Sequence, residues 1–191
     1  MGVSGELNRQ ERVHSKRWGY GVLASILLLF CPGLNALAVA QLAPSAKHLA
    51  GHVSAYLRAH ADDPVHWQTW SGDTLDSARA NGRLVMVSVG YFACHWCHVM
   101  AHESFEDKET ADIMNKFFVN IKVDREERPD LDFIFQSSFQ LFNQTGGGWP
   151  LTMFLDENGV PFMGGTYFPK LPQNGLPSFT EVLKKVSNAY S

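Results

Sequence analysis

Two closely spaced cysteines, Cys94 and Cys97, lie where an apolar run gives way to a helical pattern. The run covers residues 84–89, is rich in β-branched residues and is closed by Gly90, which predicts a buried strand. A helical pattern begins directly after the cysteines, at Val99. This position at a strand-to-helix junction constrains the fold more than the Cys-x-x-Cys spacing does by itself.

The rest of the chain alternates strand and helix patterns around this junction. The further predicted helices span residues 73–80, 107–117, 131–142 and 179–189. The further predicted strands span residues 118–123, 151–155 and 160–163, the last two joined by a hairpin turn at 156–159. The order β, α, β, α, β, β, α is the thioredoxin order. It predicts an α/β, thioredoxin-like fold with a central mixed sheet flanked by helices.

The first 40 residues carry the pattern of a secretory signal peptide. Four basic residues lie within the first 17 positions, an uncharged apolar run extends from Trp18 to Phe30, and Ala38-Val39-Ala40 fits a cleavage site. We therefore expect cleavage near Gln41, a single thioredoxin-like domain at 41–191, and a periplasmic or secreted protein. The alternative is an uncleaved membrane anchor, since the uncharged run from Trp18 to Ala46 is long enough to span a bilayer, although Pro32, Gly33 and Asn35 interrupt it.

Composition limits the function classes. The net charge is -3 and no long basic block is present, so a nucleic-acid partner is not expected. Of the three cysteines, Cys31 lies in the predicted signal. The mature chain would keep only Cys94 and Cys97, and a bridge over so short a loop adds little stability. The pair is therefore better explained by chemistry than by stability.

The cysteine pair predicts thiol–disulfide exchange with protein thiols and disulfides, and with a redox partner protein. At a helix N-terminus the pKa of a cysteine falls to roughly 3.5–7.5, because unpaired backbone N–H groups face the thiolate. We expect Cys94 to be the exposed, attacking sulfur and Cys97 to resolve the mixed disulfide. His95, when protonated, would stabilise the thiolate, and Trp96 would cover the site and pack against a partner. No cofactor or metal is required.

A glycine-rich loop with Trp149-Pro150 precedes a predicted strand. An X-Pro bond in this position is a candidate for the cis isomer. In a thioredoxin fold such a proline faces the cysteines and presents the preceding backbone to an extended peptide, which makes Trp149 and Pro150 candidate substrate-binding residues. The alternatives are a simple strand-entry turn and, for the whole protein, a non-catalytic peptide-binding module.

Two other site types use the same residues. Cys94, Cys97 and His98 match c-type haem attachment, and a distal ligand would then come from one of four methionines: Met100, Met114, Met153 and Met163. A zinc site could use Cys94, Cys97, His98 and His102. Both are less favoured, because the pair directly follows a buried strand and only one ligand cluster is present.

Six segments carry a resemblance to a known family. They are residues 63–67, 90–100, 103–107, 123–130, 146–152 and 164–169. In this order they resemble the thioredoxin-like domain of the YyaL / spermatogenesis-associated protein family. The resemblance implies a thioredoxin fold with a redox-competent cysteine pair.

The resemblance also shows departures. Large family members look cytosolic and continue into a helical domain similar to a sugar-epimerase barrel. We expect neither feature here, because this chain carries an export signal and stops at Ser191. Ordinary thioredoxins place a buried Asp six residues before the first cysteine, where this chain has Ser88. Asp124 and Glu103 are the candidates to replace that proton acceptor.

Overall fold

The computed structural model describes residues 46–190, which are built around a five-stranded sheet. The strands are β1 Trp67–Gln68, β2 Leu84–Gly90, β3 Phe118–Asp124, β4 Leu151–Leu155 and β5 Pro161–Gly165. The helices are α1 Ala55–Arg58, α2 Gly72–Ala80, α3 His95–Met100, α4 Lys108–Phe117, α5 Pro129–Asn143 and α6 Phe179–Tyr190. A 3-10 helix at Ala46–Gly51 precedes α1, and a π-helical turn at Ala101–Phe105 follows α3.

The strand order across the sheet is β1-β3-β2-β4-β5. β1 and β2 run parallel to β3, and β4 runs antiparallel to both β2 and β5. The register places Gly90, the last residue of β2, opposite Asp124, the last residue of β3. This is the mixed sheet of a thioredoxin fold, as the sequence predicted.

Every residue of β2 is buried, because the sheet is covered on both faces. Side chains alternate between the faces along a strand. Met86 joins the cluster that contains the cysteines and the apolar faces of α4 and α6. Val85, Val87 and Val89 join the second cluster, together with buried residues of α5. The central strand therefore carries the site between two packed layers.

Three parts of the fold differ from the sequence prediction. β1 was not predicted, because two residues show no alternation; the cysteines consequently follow the second strand rather than the first. Leu49, Val53, Tyr56 and Leu57 recur at helical spacing, which predicts one helix over residues 49–57. In the structure Val53 is exposed and Ser54 caps a separate α1. The sequence pattern predicts one broad apolar face on α5, formed by Leu131, Ile134, Phe135, Phe139 and Phe142. The buried face is narrower, since Ile134 and Phe142 are exposed.

Within residues 46–190, no helix is both long and apolar enough to cross a bilayer. The predicted signal peptide or anchor at 1–40 lies outside the described residues. Its cleavage, the domain boundary at Gln41 and the export of the protein stay predictions.

Candidate active site

The two cysteines form a disulfide at the start of α3, with their Cα atoms 5.3 Å apart. Cys94 is the N-cap of this helix, and the backbone N–H of Cys97 donates to Cys94 Sγ over 3.2 Å. The first turn of a helix has N–H groups without helical partners, and its dipole favours negative charge. A thiolate on Cys94 would therefore meet a donor that is already in place.

The sulfurs are less accessible than the sequence predicted. Cys94 was expected to be exposed, but it is 4% exposed, against 1% for Cys97. The reason is packing: both residues belong to the same buried cluster as Met100 and Phe105. Cys94 is still the more accessible of the two, so an incoming sulfur reaches it first.

His95 and Trp96 lie on the surface of the first helical turn, with their ring centroids 5.5 Å apart. Trp96 is 53% exposed and packs against Tyr167, at a centroid distance of 5.1 Å. The Tyr167 hydroxyl donates to Glu103 over 2.6 Å, and burial together with this carboxylate raises the pKa of Tyr167 to about 12. The hydrogen bond to Glu103 therefore fixes the position of the Tyr167 ring, against which Trp96 packs.

Trp149 is held from three sides. The bond between Trp149 and Pro150 is cis, which confirms the isomer expected from the sequence. The indole N–H donates to Asp132 over 2.9 Å, and the Arg125 guanidinium lies 3.9 Å from a ring centroid of Trp149. Asp132 also pairs with Arg125 at 3.4 Å. Tyr91, which precedes the cysteines, contacts the same indole edge to face. These contacts fix the indole next to the cysteine loop.

An open groove of about 370 Å³ lies beside the cysteines. Its lining comprises Trp96, Gly146, Gly147, Gly148, Trp149, Thr166 and Tyr167. The structure thus brings Trp96 and Trp149 to one groove, whereas Pro150 is buried and is not part of the lining. Among the three glycines, Gly147 has the tightest surroundings, because a Cβ there would collide with Gln136 of α5.

A buried cation lies behind the site, and the sequence analysis missed it. Lys122 is 1% exposed, and its Nζ donates to Ser88 Oγ over 3.2 Å. Burial lowers the pKa of Lys122 to about 7, an effect that Asp63 partly offsets. The alternation of β3 could have indicated this burial, because Lys122 lies on the same face of the strand as the buried Phe118.

Asp124 lies opposite Gly90 in the sheet and is 5% exposed. Its Oδ2 accepts from the Ser54 hydroxyl over 2.6 Å, and its Oδ1 accepts from the backbone N–H of Glu126 over 2.9 Å. The carboxylate is thus buried at the same level as the cysteine loop, unlike Glu103. Its role as a proton acceptor stays a prediction.

The histidines considered for zinc have other contacts. His98 Nε2 lies 2.6 Å from the Phe92 carbonyl oxygen, and His102 lies 3.1 Å from Glu106 on an exposed face. In the part of the chain that the structure describes, no group of three or more His, Cys, Asp or Glu side chains could hold a metal ion. Both cysteine sulfurs are engaged in the disulfide.

Comparison with known proteins identifies the family to which the chain belongs. The family model Thioredox_DsbH, described as "Protein of unknown function, DUF255", matches residues 46–191. Spermatogenesis-associated protein 20 of Rattus norvegicus is 40% identical over 148 residues, which are 76% of this chain and 18% of the rat protein. The Homo sapiens protein of the same name is 44% identical over 135 residues, 70% of this chain and 17% of the human protein. The chain thus spans less than a fifth of the curated relatives it matches.

Solved structures with the same general fold were also found. "DsbH Oxidoreductase" has a TM-score of 0.47 at 15% identity, covering 66% of this chain and 84% of that one. A thioredoxin from Thermus thermophilus has a TM-score of 0.46 at 21% identity, covering 64% of this chain and 87% of that one. The strand order and the family match establish the fold independently of these scores. The chain belongs to the Thioredox_DsbH (DUF255) family, the thioredoxin-like family that includes the matching region of spermatogenesis-associated protein 20.

Proposed function

We propose that the protein is a thiol–disulfide oxidoreductase that acts through Cys94 and Cys97 on protein thiols and disulfides outside the cytoplasm. The observation that carries the proposal is the disulfide at the N-terminus of α3, with the Cys97 N–H directed at Cys94 Sγ. The family match and the thioredoxin fold support the same chemistry. The direction of the reaction in the cell depends on the reduction potential and on the partner protein.

The exchange reaction follows from the placement of the two sulfurs. Starting from the disulfide, a substrate thiolate attacks Cys94 Sγ, the Cys94–Cys97 bond breaks, and its electron pair leaves on Cys97 Sγ. A second substrate thiolate then attacks the substrate sulfur of the mixed disulfide and releases Cys94 as a thiolate. The substrate dithiol is oxidised, the protein disulfide is reduced, and the reverse sequence reduces a substrate disulfide.

The groove beside the cysteines supports a peptide as substrate. Three aromatic side chains, Trp96, Trp149 and Tyr167, line the groove together with the glycine loop. An extended peptide in such a groove can use backbone hydrogen bonds for affinity and side-chain pockets for specificity. The immobilised indole of Trp149 keeps the groove in shape before a substrate arrives, which reduces the entropy lost on binding.

The test is a pair of cysteine variants in an insulin-reduction assay. Cys94→Ser is expected to abolish turnover, because only the outer sulfur is attacked. Cys97→Ser is expected to accumulate mixed disulfides with partner proteins, because the intramolecular release step is lost. Mass spectrometry of the trapped species identifies the sulfur that carries the partner.

The control for the cysteine variants is Ser138→Ala on α5, which removes a side-chain hydroxyl that donates to the Ile134 carbonyl and leaves both cysteines unchanged. It should retain full turnover. Full turnover in Cys94→Ser would refute the oxidoreductase proposal, and peptide binding without turnover in the unmodified protein would favour a non-catalytic module. A Soret band in the purified protein would instead indicate haem attachment.

A further inference from the structure

The hydroxyl group of Tyr56 is fully buried and has no hydrogen-bond partner. Tyr56 lies on α1 and is 1% exposed. Buried polar groups in folded proteins nearly always have a partner, so an unpaired one calls for a physical reason. Within residues 46–190, the other unpaired buried side-chain atoms are Ser104 Oγ and Asn120 Oδ1. The Tyr56 hydroxyl lies next to the redox pair.

Gly90 shows how close this hydroxyl is to the resolving cysteine. A Cβ added to Gly90 would collide with the Tyr56 hydroxyl and would lie 2.8 Å from Cys97 Sγ. The hydroxyl oxygen and the sulfur therefore lie against the same backbone position of β2. The absence of a side chain at Gly90 leaves room for both groups.

Burial and two nearby carboxylates keep the Tyr56 hydroxyl protonated. Burial raises the pKa of Tyr56 above its ordinary value, and the carboxylates of Asp124 and Asp63 raise it further. Lys122 Nζ lies 5.1 Å from the centroid of the Tyr56 ring. Asp124 already accepts from Ser54, and Asp63 already accepts from Trp67 and contacts His60. The phenol is thus a neutral donor whose nearby carboxylates are already engaged.

Opening the disulfide creates the acceptor that this donor lacks. Attack on Cys94 Sγ breaks the S–S bond and leaves the electron pair on Cys97 Sγ, which is in the least exposed residue of the pair. A buried anion is unfavourable unless it is paired or hydrogen-bonded. The disulfide sulfur is a weak acceptor, whereas a thiolate is a strong one. Because both groups lie against Gly90, the new acceptor forms beside the donor.

We propose that the Tyr56 hydroxyl donates a hydrogen bond to Cys97 Sγ when the Cys94–Cys97 disulfide is opened, and so stabilises the leaving thiolate. In the reverse direction the same bond favours the thiolate of Cys97 that attacks the mixed disulfide. The inference rests on the proposed thiol–disulfide exchange and assigns a chemical role to a residue outside the Cys-x-x-Cys motif. It also explains why the hydroxyl is unpaired in the disulfide form.

The decisive variant is Tyr56→Phe, which removes only the hydroxyl and keeps the ring. We expect the equilibrium constant for reduction of the disulfide by glutathione to fall about tenfold, a change of about 30 mV for a two-electron couple. The reduced form should unfold at a lower temperature than the reduced unmodified protein. The oxidised form should be equally or more stable, because an unpaired buried hydroxyl is removed from it.

The matched control is Tyr190→Phe, at the end of α6, which removes a hydroxyl that donates to Glu157. It should leave the glutathione equilibrium unchanged and shift both redox forms by the same amount. An unchanged equilibrium in Tyr56→Phe, with both forms destabilised equally, would show that Tyr56 is only a packing residue and would overturn the proposal. The equilibrium needs no protein substrate, so failure of insulin reduction would count against the proposed function alone.

A second measurement needs no variant and covers the case in which Tyr56→Phe does not fold. In protein labelled with ¹³C at tyrosine Cζ, the Tyr56 resonance should move when dithiothreitol reduces the disulfide. In the reduced form it should move again as Cys97 titrates. A Tyr56 resonance that is the same in both redox states would overturn the proposal.

Discussion

At the scale of single residues, Lys122 has the most unusual surroundings. Its ammonium lies over three aromatic rings, at 5.1 Å from the centroid of Tyr56, 4.7 Å from that of Trp67 and 4.2 Å from that of Phe105. Ring faces attract a cation, and the attraction is larger when water is excluded. The hydrogen-bond partner is the neutral Ser88. The contacts of the Lys122 amine are therefore ring faces and a hydroxyl group.

This arrangement predicts a pH dependence of stability. Burial lowers the pKa of Lys122 to about 7 in the folded protein, well below its value of 10.5 in an open chain. Between these values the unfolded chain binds more protons, so the free energy of unfolding should rise as the pH increases from 7 to 9. The slope should approach about 1.4 kcal/mol per pH unit. Urea denaturation of the oxidised protein at several pH values measures it.

The comparison that isolates this effect uses two lysine variants. Lys122→Met should remove the rise, because no other described lysine is as deeply buried. Lys116→Met, which changes an exposed lysine of α4, should keep the rise. A flat profile in the unmodified protein would mean that the Lys122 amine titrates as an ordinary surface lysine does.

At the scale of secondary-structure elements, the Asp107 carboxylate caps α4 and also binds the segment between β5 and α6. Asp107 is the N-cap of α4, where its Oδ2 accepts from the backbone N–H and the hydroxyl of Thr110. Its Oδ1 accepts from Lys170 over 2.9 Å, in the segment between β5 and α6. These donors, Lys170 first, lower the pKa of Asp107 to about 2. The segment that carries Tyr167 is thereby connected to the N-terminus of α4.

Asp107→Ala should therefore lower the free energy of unfolding by about 0.5–2 kcal/mol at pH 7, the range for loss of an N-cap. The contribution is present above pH 4 and is lost as the pH falls through about 2, because the folded-state pKa is depressed. Asp107→Asn, which can still cap the helix but carries no charge, should cost less. Equal losses in the two variants would show that the ion pair with Lys170, and not the cap, carries the effect.

At the scale of the whole molecule, the family motifs meet around the cysteine pair although they are far apart in sequence. Arg125 covers Trp149, and Tyr167 supports Trp96. Asp63 accepts from the indole of Trp67, which in turn lies against Lys122. Each motif thus supplies a contact to the site or to the layer behind it.

Export is also a property of the whole chain, and it is tested on the intact protein. We predict a mature N-terminus near Gln41 in protein recovered from outside the cytoplasm, because Ala38-Val39-Ala40 follows a basic and then an apolar segment. Intact-mass measurement of the exported protein gives the cleavage site directly. Retention of residues 1–40 would show that the segment is a membrane anchor.

The sequence by itself determined the features that depend on neighbouring residues. Alternation, glycine breaks and the X-Pro step predicted β2, β3 and β4, the helix at Cys94 and the cis bond at Trp149-Pro150, because each of these follows from local backbone preference. The cysteine pair was placed correctly for the same reason. The catalytic role of His95 and the substrate-binding roles of Trp96, Trp149 and Pro150 stay predictions.

The tertiary structure alone decided which side chains meet. β1 is too short to show a period, and it is a strand only because β3 pairs with it. The burial of Lys122 depends on rings that come from α1, β1 and the turn after α3. The contact region shared by Tyr56 and Cys97 depends on Gly90, at the end of a third element. Such contacts are set by strand order and packing across the whole sheet, and no local pattern in the chain encodes them.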